Sequence, residues 1–247
     1  MRDSPKIDGA NVLSRALDLL RLLTTESDRT SLTSYAASLD IPPSTAYRLV
    51  AVLVDRGLIA RAGRGRYVRG GALADLAGQP LPHHDLKAIA RNPVERLVRE
   101  TKITAHMGIW DQDMVQYLLR VAPPGAALFT REGERLEGYC SAIGKTLLAH
   151  MTDTEQEAYL AAGTFVALTP YTLTDPQHLH DEFRAIRAMG VAFDRQEMKE
   201  GLECIAVPVR RRDGRVIAAL SLSGSSGVAS AENSLRHCAE AISDRLG

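Results

Sequence analysis

Several things are scarce in this chain of 247 residues. Aromatics make up only 5% of it, so any core must be built mainly from Ala, Leu, Val and Ile. The three cysteines, Cys140, Cys204 and Cys238, are odd in number and far apart. No pair has metal-ligand spacing, and the reducing cytosol expected for this chain disfavours structural disulfides. The seven histidines offer no ligand motif either. His83 and His84 are adjacent and His178 and His180 are two apart, whereas two imidazoles share a helix face only at a spacing of three or four. No metal, cofactor or catalytic set is expected. No stretch approaches the roughly 18 apolar residues of a membrane span. Met1 to Ala10 is polar and lacks a signal-peptide core, so a cytoplasmic protein with no membrane partner is expected. Excess charge is missing as well, with 30 basic residues against 30 acidic ones. Hydrophobic and charged fractions of 45% and 24% are those of a folded globular chain, which excludes disorder.

The balanced total hides a local bias. Residues 1–82 carry eleven basic and eight acidic side chains, a surplus of three. Between Pro43 and Gly70 there are six arginines and one acid, Asp55. A basic cluster in a neutral protein is the footprint of an anionic partner.

Periodicity places that cluster. Leu13, Ala16, Leu17, Leu20 and Leu23 recur at helical spacing over Val12 to Thr24, with Asn11 as a candidate N-cap. A short second helix opens at Ser31 or Leu32. Asp40-Ile41-Pro42-Pro43 is a turn, because residues before proline avoid the helical region. A third helix starts at Pro43 or Ser44 and ends at Gly57, with Ala46, Leu49, Val50 and Leu53 on its apolar face. Leu58 to Arg61 and Arg66 to Val68 then form a hairpin around a Gly-rich, Arg-rich turn. Three helices followed by a basic hairpin describe a winged helix-turn-helix. Ser44, Thr45, Tyr47 and Arg48 would face base edges, and Arg61, Arg64 and Arg66 would meet phosphates of double-stranded DNA.

Gly70 to His84 is rich in Gly and Pro and reads as a linker around a short helix at 72–77. The expected domains are 1–70, a linker over 71–84, and 85–247. Asp85 to Thr101 is helical, with Pro93 inside it as a kink or a late start. Strands follow at 103–110, 114–121, 191–194, 204–209 and 216–223. Helices are expected at 142–151, at 153–162 capped by Asp153, at 176–189, and from 230 or 231 to 246. The fold class is therefore α+β, an antiparallel sheet with flanking helices behind a winged helix-turn-helix.

These residues resemble the IclR family of bacterial transcriptional regulators. The resemblance rests on Val12-Leu13-Ser14-Arg15-Ala16-Leu17-Asp18-Leu19-Leu20 and Pro43-Ser44-Thr45-Ala46-Tyr47-Arg48-Leu49. It continues in Ala142-Ile143-Gly144-Lys145-Thr146-Leu147-Leu148-Ala149, in Gly201-Leu202-Glu203-Cys204-Ile205-Ala206-Val207-Pro208-Val209, and from Asp213 to Gly224. It implies a GAF-like effector-binding domain, operator DNA as partner, and a homodimer or homotetramer. It also implies an effector site at Ala142, Ile143, Asp194, Cys204, Ser221 and Ser223. Leu128 and Phe129 would form an apolar wall. The implied function is a ligand-responsive regulator of a catabolic operon, sensing a small organic acid, aromatic acids included. Two departures stand out: Ile143 narrows the site or makes it more apolar, and Pro43 replaces a basic residue frequent in the family.

Each site residue also has a plain structural reading. Cys204 fits a strand core, Ser221 and Ser223 fit satisfied core hydroxyls, Asp194 fits a backbone cap or a surface pair with Arg195, and Lys145 fits a solvated side chain or a place near the effector. Arg48 could pair with Asp55 instead of DNA. Two other functions compete. One is a regulator that senses oxidation at Cys140 or Cys204, which requires an exposed, acidified thiol; Cys140, in a loop, is the better placed. The other is an enzyme using those thiols, for which no nucleophile–base–orienter set is legible.

Overall fold

The computed structural model describes residues 8–25, 31–126 and 130–246. They form two compact units. One runs to Asn92 and takes in Arg245 and Leu246; the other is Pro93–Asp244. The division thus falls inside a helix.

The first unit begins with α1 (Asp8–Thr25), α2 (Leu32–Ser38) and α3 (Pro43–Asp55). Asn11 lies within α1 and caps nothing, because the helix starts three residues earlier. The buried stripe of α1 is Leu19 and Leu23, with Leu20 and Leu22 packed beside it. Leu13 and Leu17, expected in the core, are exposed along with Val12. The first turns of α1 run past the small core that α2 and α3 supply. Ser31 caps α2 by accepting from the Ser34 amide at 3.1 Å. Asp40 takes φ 50° in the turn, and the Ile41 amide returns to the Ala36 carbonyl at 3.0 Å. Pro43 then opens α3 with φ already helical and no amide to satisfy. Ala46, Val50 and Leu53 seat α3 against Leu32, Tyr35 and Ala36. Each fully buried Leu or Val there stabilises the unit by about 1.5–3 kcal/mol. The strands β1 (Ile59–Gly63) and β2 (Arg66–Arg69) pair antiparallel, with Gly65 at φ 70° in the connecting turn. α4 (Gly71–Leu76) follows. Asn92 donates to the Ala62 carbonyl at 2.9 Å, and Arg69 pairs with Asp85 at 2.6 Å.

α5 (His83–Thr101) runs unbroken through Pro93, losing only the bond that an amide there would make to Ile89. The second unit is built on β3 (Thr104–Asp111), β4 (Met114–Val121), β5 (Arg135–Leu136), β6 (Ala192–Arg195), β7 (Glu203–Arg210) and β8 (Val216–Gly224). They make one antiparallel sheet in the order β5-β4-β3-β8-β7-β6. Between the strands come α6 (Ala142–Ala149), α7 (Asp153–Ala162) and α8 (Pro176–Met189), and α9 (Glu232–Leu246) ends the chain behind a 3₁₀ turn at Val228–Ala231. The cap of α7 is Thr152 in a reciprocal capping box with Glu155, not Asp153, because the Thr152 hydroxyl is the group that reaches the Glu155 amide.

α6 lies on one sheet face, where Ala142, Ile143 and Leu147 pack on Val115, Tyr117, Ala206 and Ala219. Two glycines allow that approach. A Cβ on Gly108 would sit 3.0 Å from the Ile143 side chain, and one on Gly144 would sit 2.2 Å from the Gly138 carbonyl oxygen. The pairing of β3 with β4 is shifted by a bulge at Met107/Gly108. Arg120 pairs with His106, and Tyr117 pairs with Gly108. Residues three apart on β4 therefore reach the same face, which a regular strand forbids.

Candidate functional site

Two sets of residues stand out, one in each unit, and neither depends on how the units are arranged. In the first unit, Ser44, Tyr47 and Arg48 lie on the exposed side of α3, and Thr45 is half-buried. The burial of Ala46 and Val50 forces that outcome, since at 3.6 residues per turn their neighbours point away. Tyr47 is 55% exposed, unusual for a large aromatic ring. Asp55, the alternative partner for Arg48, sits 3.6 Å from Arg56. On the hairpin, Arg61, Arg64 and Arg66 are exposed, and the Arg61 guanidinium stacks 5.8 Å from the centre of the Tyr67 ring.

In the second unit a cavity of about 580 Å³ opens between the sheet and the start of α6. Ala142, Ile143, Asp194, Cys204, Ser221 and Ser223 all line it. Leu128 and Phe129 lie outside the described residues. The register explains the convergence. Ser221 pairs with His106 on one side and Ala206 on the other, while Ser223 pairs with Cys204, which pairs with Asp194. Alternation then puts all of these side chains on the α6 face.

The lining is rich in donors. Ser141 caps α6 by accepting from the Gly144 amide at 3.1 Å, which leaves the amides of Ala142 and Ile143 as the open pair of the first turn. The Ser221 hydroxyl has no hydrogen-bond partner among the described residues, though the residue is 3% exposed. The Tyr117 hydroxyl is likewise unpartnered there, at 7% exposure. Burial, then the neighbouring Cys204 and Asp194, push the Tyr117 phenol up, so it stays a donor. His106 bonds Thr130 Oγ1 at 2.7 Å, approaches Ser223 at 3.4 Å, and meets Tyr117 edge-on at 5.4 Å. Burial, reinforced by the Arg120 charge, lowers its pKa to about 4 and keeps it neutral.

Asp194 is buried and caps the following turn instead of pairing with Arg195 on the surface. Its Oδ1 accepts from the amides of Glu197 at 2.7 Å and Met198 at 3.3 Å. Burial raises its carboxyl to about 6, with Glu197 adding to the rise. Lys145 is not solvated but fully buried, and its Nζ donates to Glu197 at 2.7 Å and Glu182 at 3.0 Å. Cys140 is fully buried too, and burial, then Asp194, push its thiol up to about 12. Burial, then Asp194, also push the Cys204 thiol up. Neither is the exposed, acidified thiol that oxidation sensing requires. Among the described residues no group of His, Cys, Asp and Glu is arranged to hold a metal, and no helix is long and apolar enough to cross a membrane.

Sequence reasoning passed over His106, Tyr117 and Arg120. Only a bulge puts the last two on one face, and no residue pattern announces it.

Comparison with known proteins is consistent across both units. The IclR helix-turn-helix domain profile matches residues 12–63, and the profile for the C-terminal part of the bacterial transcriptional regulator IclR matches residues 78–244. The chain is 34% identical over 218 residues to the HTH-type transcriptional regulator BhcR of Paracoccus denitrificans, covering 87% of this chain and 78% of that one. It is 32% identical over 213 residues to the HTH-type transcriptional regulator XynR of Escherichia coli, covering 85% and 84%. Among solved structures, an IclR homolog from Microbacterium hydrocarbonoxydans complexed with 4-hydroxybenzoate matches at TM-score 0.63 and 25% identity, over 95% of this chain and 98% of that one. With a helix-turn-helix unit and an α+β unit matched in order over most of its length, this chain belongs to the IclR family of DNA-binding transcriptional regulators.

Proposed function

We propose that this protein is a cytoplasmic, ligand-responsive regulator of a catabolic operon. Residues 1–70 bind double-stranded operator DNA, residues 71–84 link, and residues 85–247 take a small organic acid and mediate assembly into a homodimer or homotetramer. The observation that carries the reading is the set of open donors on the cavity. Two helix-start amides and the hydroxyls of Ser221 and Tyr117 line a space large enough for an organic acid, with no acceptor for them among the described residues. Donors that face a cavity are free to pair with an entering ligand, and a helix N-terminus favours a carboxylate. The bound 4-hydroxybenzoate of the Microbacterium relative supports an aromatic acid as one member of the class.

On the DNA side, Ser44, Thr45, Tyr47 and Arg48 read bases, while Arg61, Arg64 and Arg66 anchor to phosphate. The acid acts by binding one arrangement of the DNA-reading helices better than another, which shifts the population between them. Two tests address the two halves. Arg48→Ala relaxes discrimination between operator variants by about 1–3 kcal/mol at one base position; unchanged discrimination removes the base-reading role. A melting screen of the full chain against small carboxylates and aromatic acids gives a selective rise by mass action. A flat response to every acid removes the sensing role and leaves DNA binding in place.

A further inference from the structure

The cavity has a second cationic pole that the small-acid site does not use. Arg120 lines it, half-buried, at the β4 edge. Its guanidinium donates once, from Nη1 to the Thr130 carbonyl at 2.8 Å. The guanidinium has no carboxylate partner among the described residues; the nearby Glu132 carboxylate accepts instead from the Arg120 backbone amide at 3.1 Å. The other cavity-lining charges are Asp194, at the β6 end, and Lys199 and Glu200, which are exposed and opposite in sign. A guanidinium presents five donors in a fixed fork matched to a carboxylate, and most of this fork has no acceptor among the described residues.

Register sets its position. Arg120 pairs with His106 and His106 with Ser221, so Arg120 and Ser221 share one cross-strand row. Two strand spacings separate them, about 10 Å between Cα atoms. Between them lies the neutral His106 ring, held by Thr130 and set edge-on to Tyr117. That middle is flat and uncharged, suited to a ring or a short carbon chain. A lone small carboxylate on α6 and Ser221 leaves the Arg120 fork without an anion.

Given the reading that this cavity takes an acid, we infer that the effector carries two acidic groups: one on the α6 start and Ser221, the second on Arg120, with a ring or short chain across His106. Arg120 is then the residue that selects diacids over monoacids.

The test is calorimetric titration of the full chain with matched pairs: benzoate against terephthalate, and hexanoate against adipate. The wild type prefers the diacid of at least one pair by about 10- to 100-fold, the range of a charge-assisted bond to a partly buried group. Arg120→Gln abolishes that preference and leaves the monoacid affinity within about twofold. Arg120→Lys keeps the charge without the fork and retains only part of it. Monoacids binding as tightly as diacids in the wild type, or a preference that survives Arg120→Gln, overturns the inference while leaving the acid site standing. Heat from none of the four probes, alongside a melting screen flat for every acid, overturns the acid site and the inference with it. The wild-type comparison decides even where a variant fails to fold.

Discussion

Replacing Lys145 by Met should cost the second unit about 3–5 kcal/mol, the usual effect of removing one partner from a buried ion pair. The structure shows why the upper part of the scale applies. Lys145 is fully buried on α6, and its Nζ is the shared cation for Glu197 at 2.7 Å and Glu182 at 3.0 Å. Glu197 is itself buried, and its Oε2 already lacks a hydrogen-bond partner. Met fills the space of the lysine stem but leaves the Glu197 carboxylate, among the described residues, with the Arg195 amide at 3.3 Å as its one donor. With a urea dependence of about 2 kcal/mol per molar, the midpoint falls by roughly 2 M. Trp110, the single tryptophan, lies on β3, so its fluorescence reports this unit alone. Burial holds the Glu197 carboxyl above its ordinary range, and Lys145 pulls it down. Removing Lys145 raises it further, so the deficit shrinks as acid neutralises the stranded carboxylate. Lys145→Met/Glu197→Gln regains much of the loss at neutral pH. A deficit under about 1 kcal/mol, or a double variant no better than the single, refutes the reasoning.

Other outcomes follow from the same geometry. His106 has a folded pKa of about 4 against 6.5 when exposed. The unfolded chain therefore binds more protons between those values, and this contribution is full above 6.5 and lost as pH falls to about 4. At 1.36 kcal/mol per unit the loss is about 3 kcal/mol, and His106→Gln flattens that part of a urea-midpoint profile. On DNA, Arg64→Ala lowers the salt slope of operator affinity by about 0.9 without altering sequence discrimination. A changed discrimination with an unchanged slope assigns Arg64 to base reading instead.

Much of the first unit was legible because local signals agree there. The Pro-Pro turn, the apolar positions of α3 and the Gly-Arg hairpin each specify their own stretch of chain. α1 was harder: Leu13, Leu17 and Leu19 are equally apolar, and only the packing of α2 and α3 decides that Leu19 is covered. In the second unit the strands and helices follow from periodicity, but the cavity does not. Its six predicted lining residues came from family resemblance, and they meet because of register between strands distant in sequence. Arg120 and Tyr117 were hidden by the bulge. The burial of Lys145 is not legible, because lysine is almost never fully buried unless paired and its partners stand 37 and 52 residues away. Cys140 looked like a loop thiol, yet the turn that carries it is packed beside Leu148 and Phe183 in the core.

The most direct test of the account is fluorescence anisotropy of an operator duplex, selected in vitro from random DNA, titrated with the protein in the presence and absence of an acid that raises its melting temperature. The acid moves the operator midpoint by about 5- to 150-fold, the span of ordinary allosteric coupling, and Ser221→Ala removes that shift. Operator affinity indifferent to every stabilising acid, or a shift undiminished in the Ser221 variant, contradicts the claim that this cavity controls DNA binding.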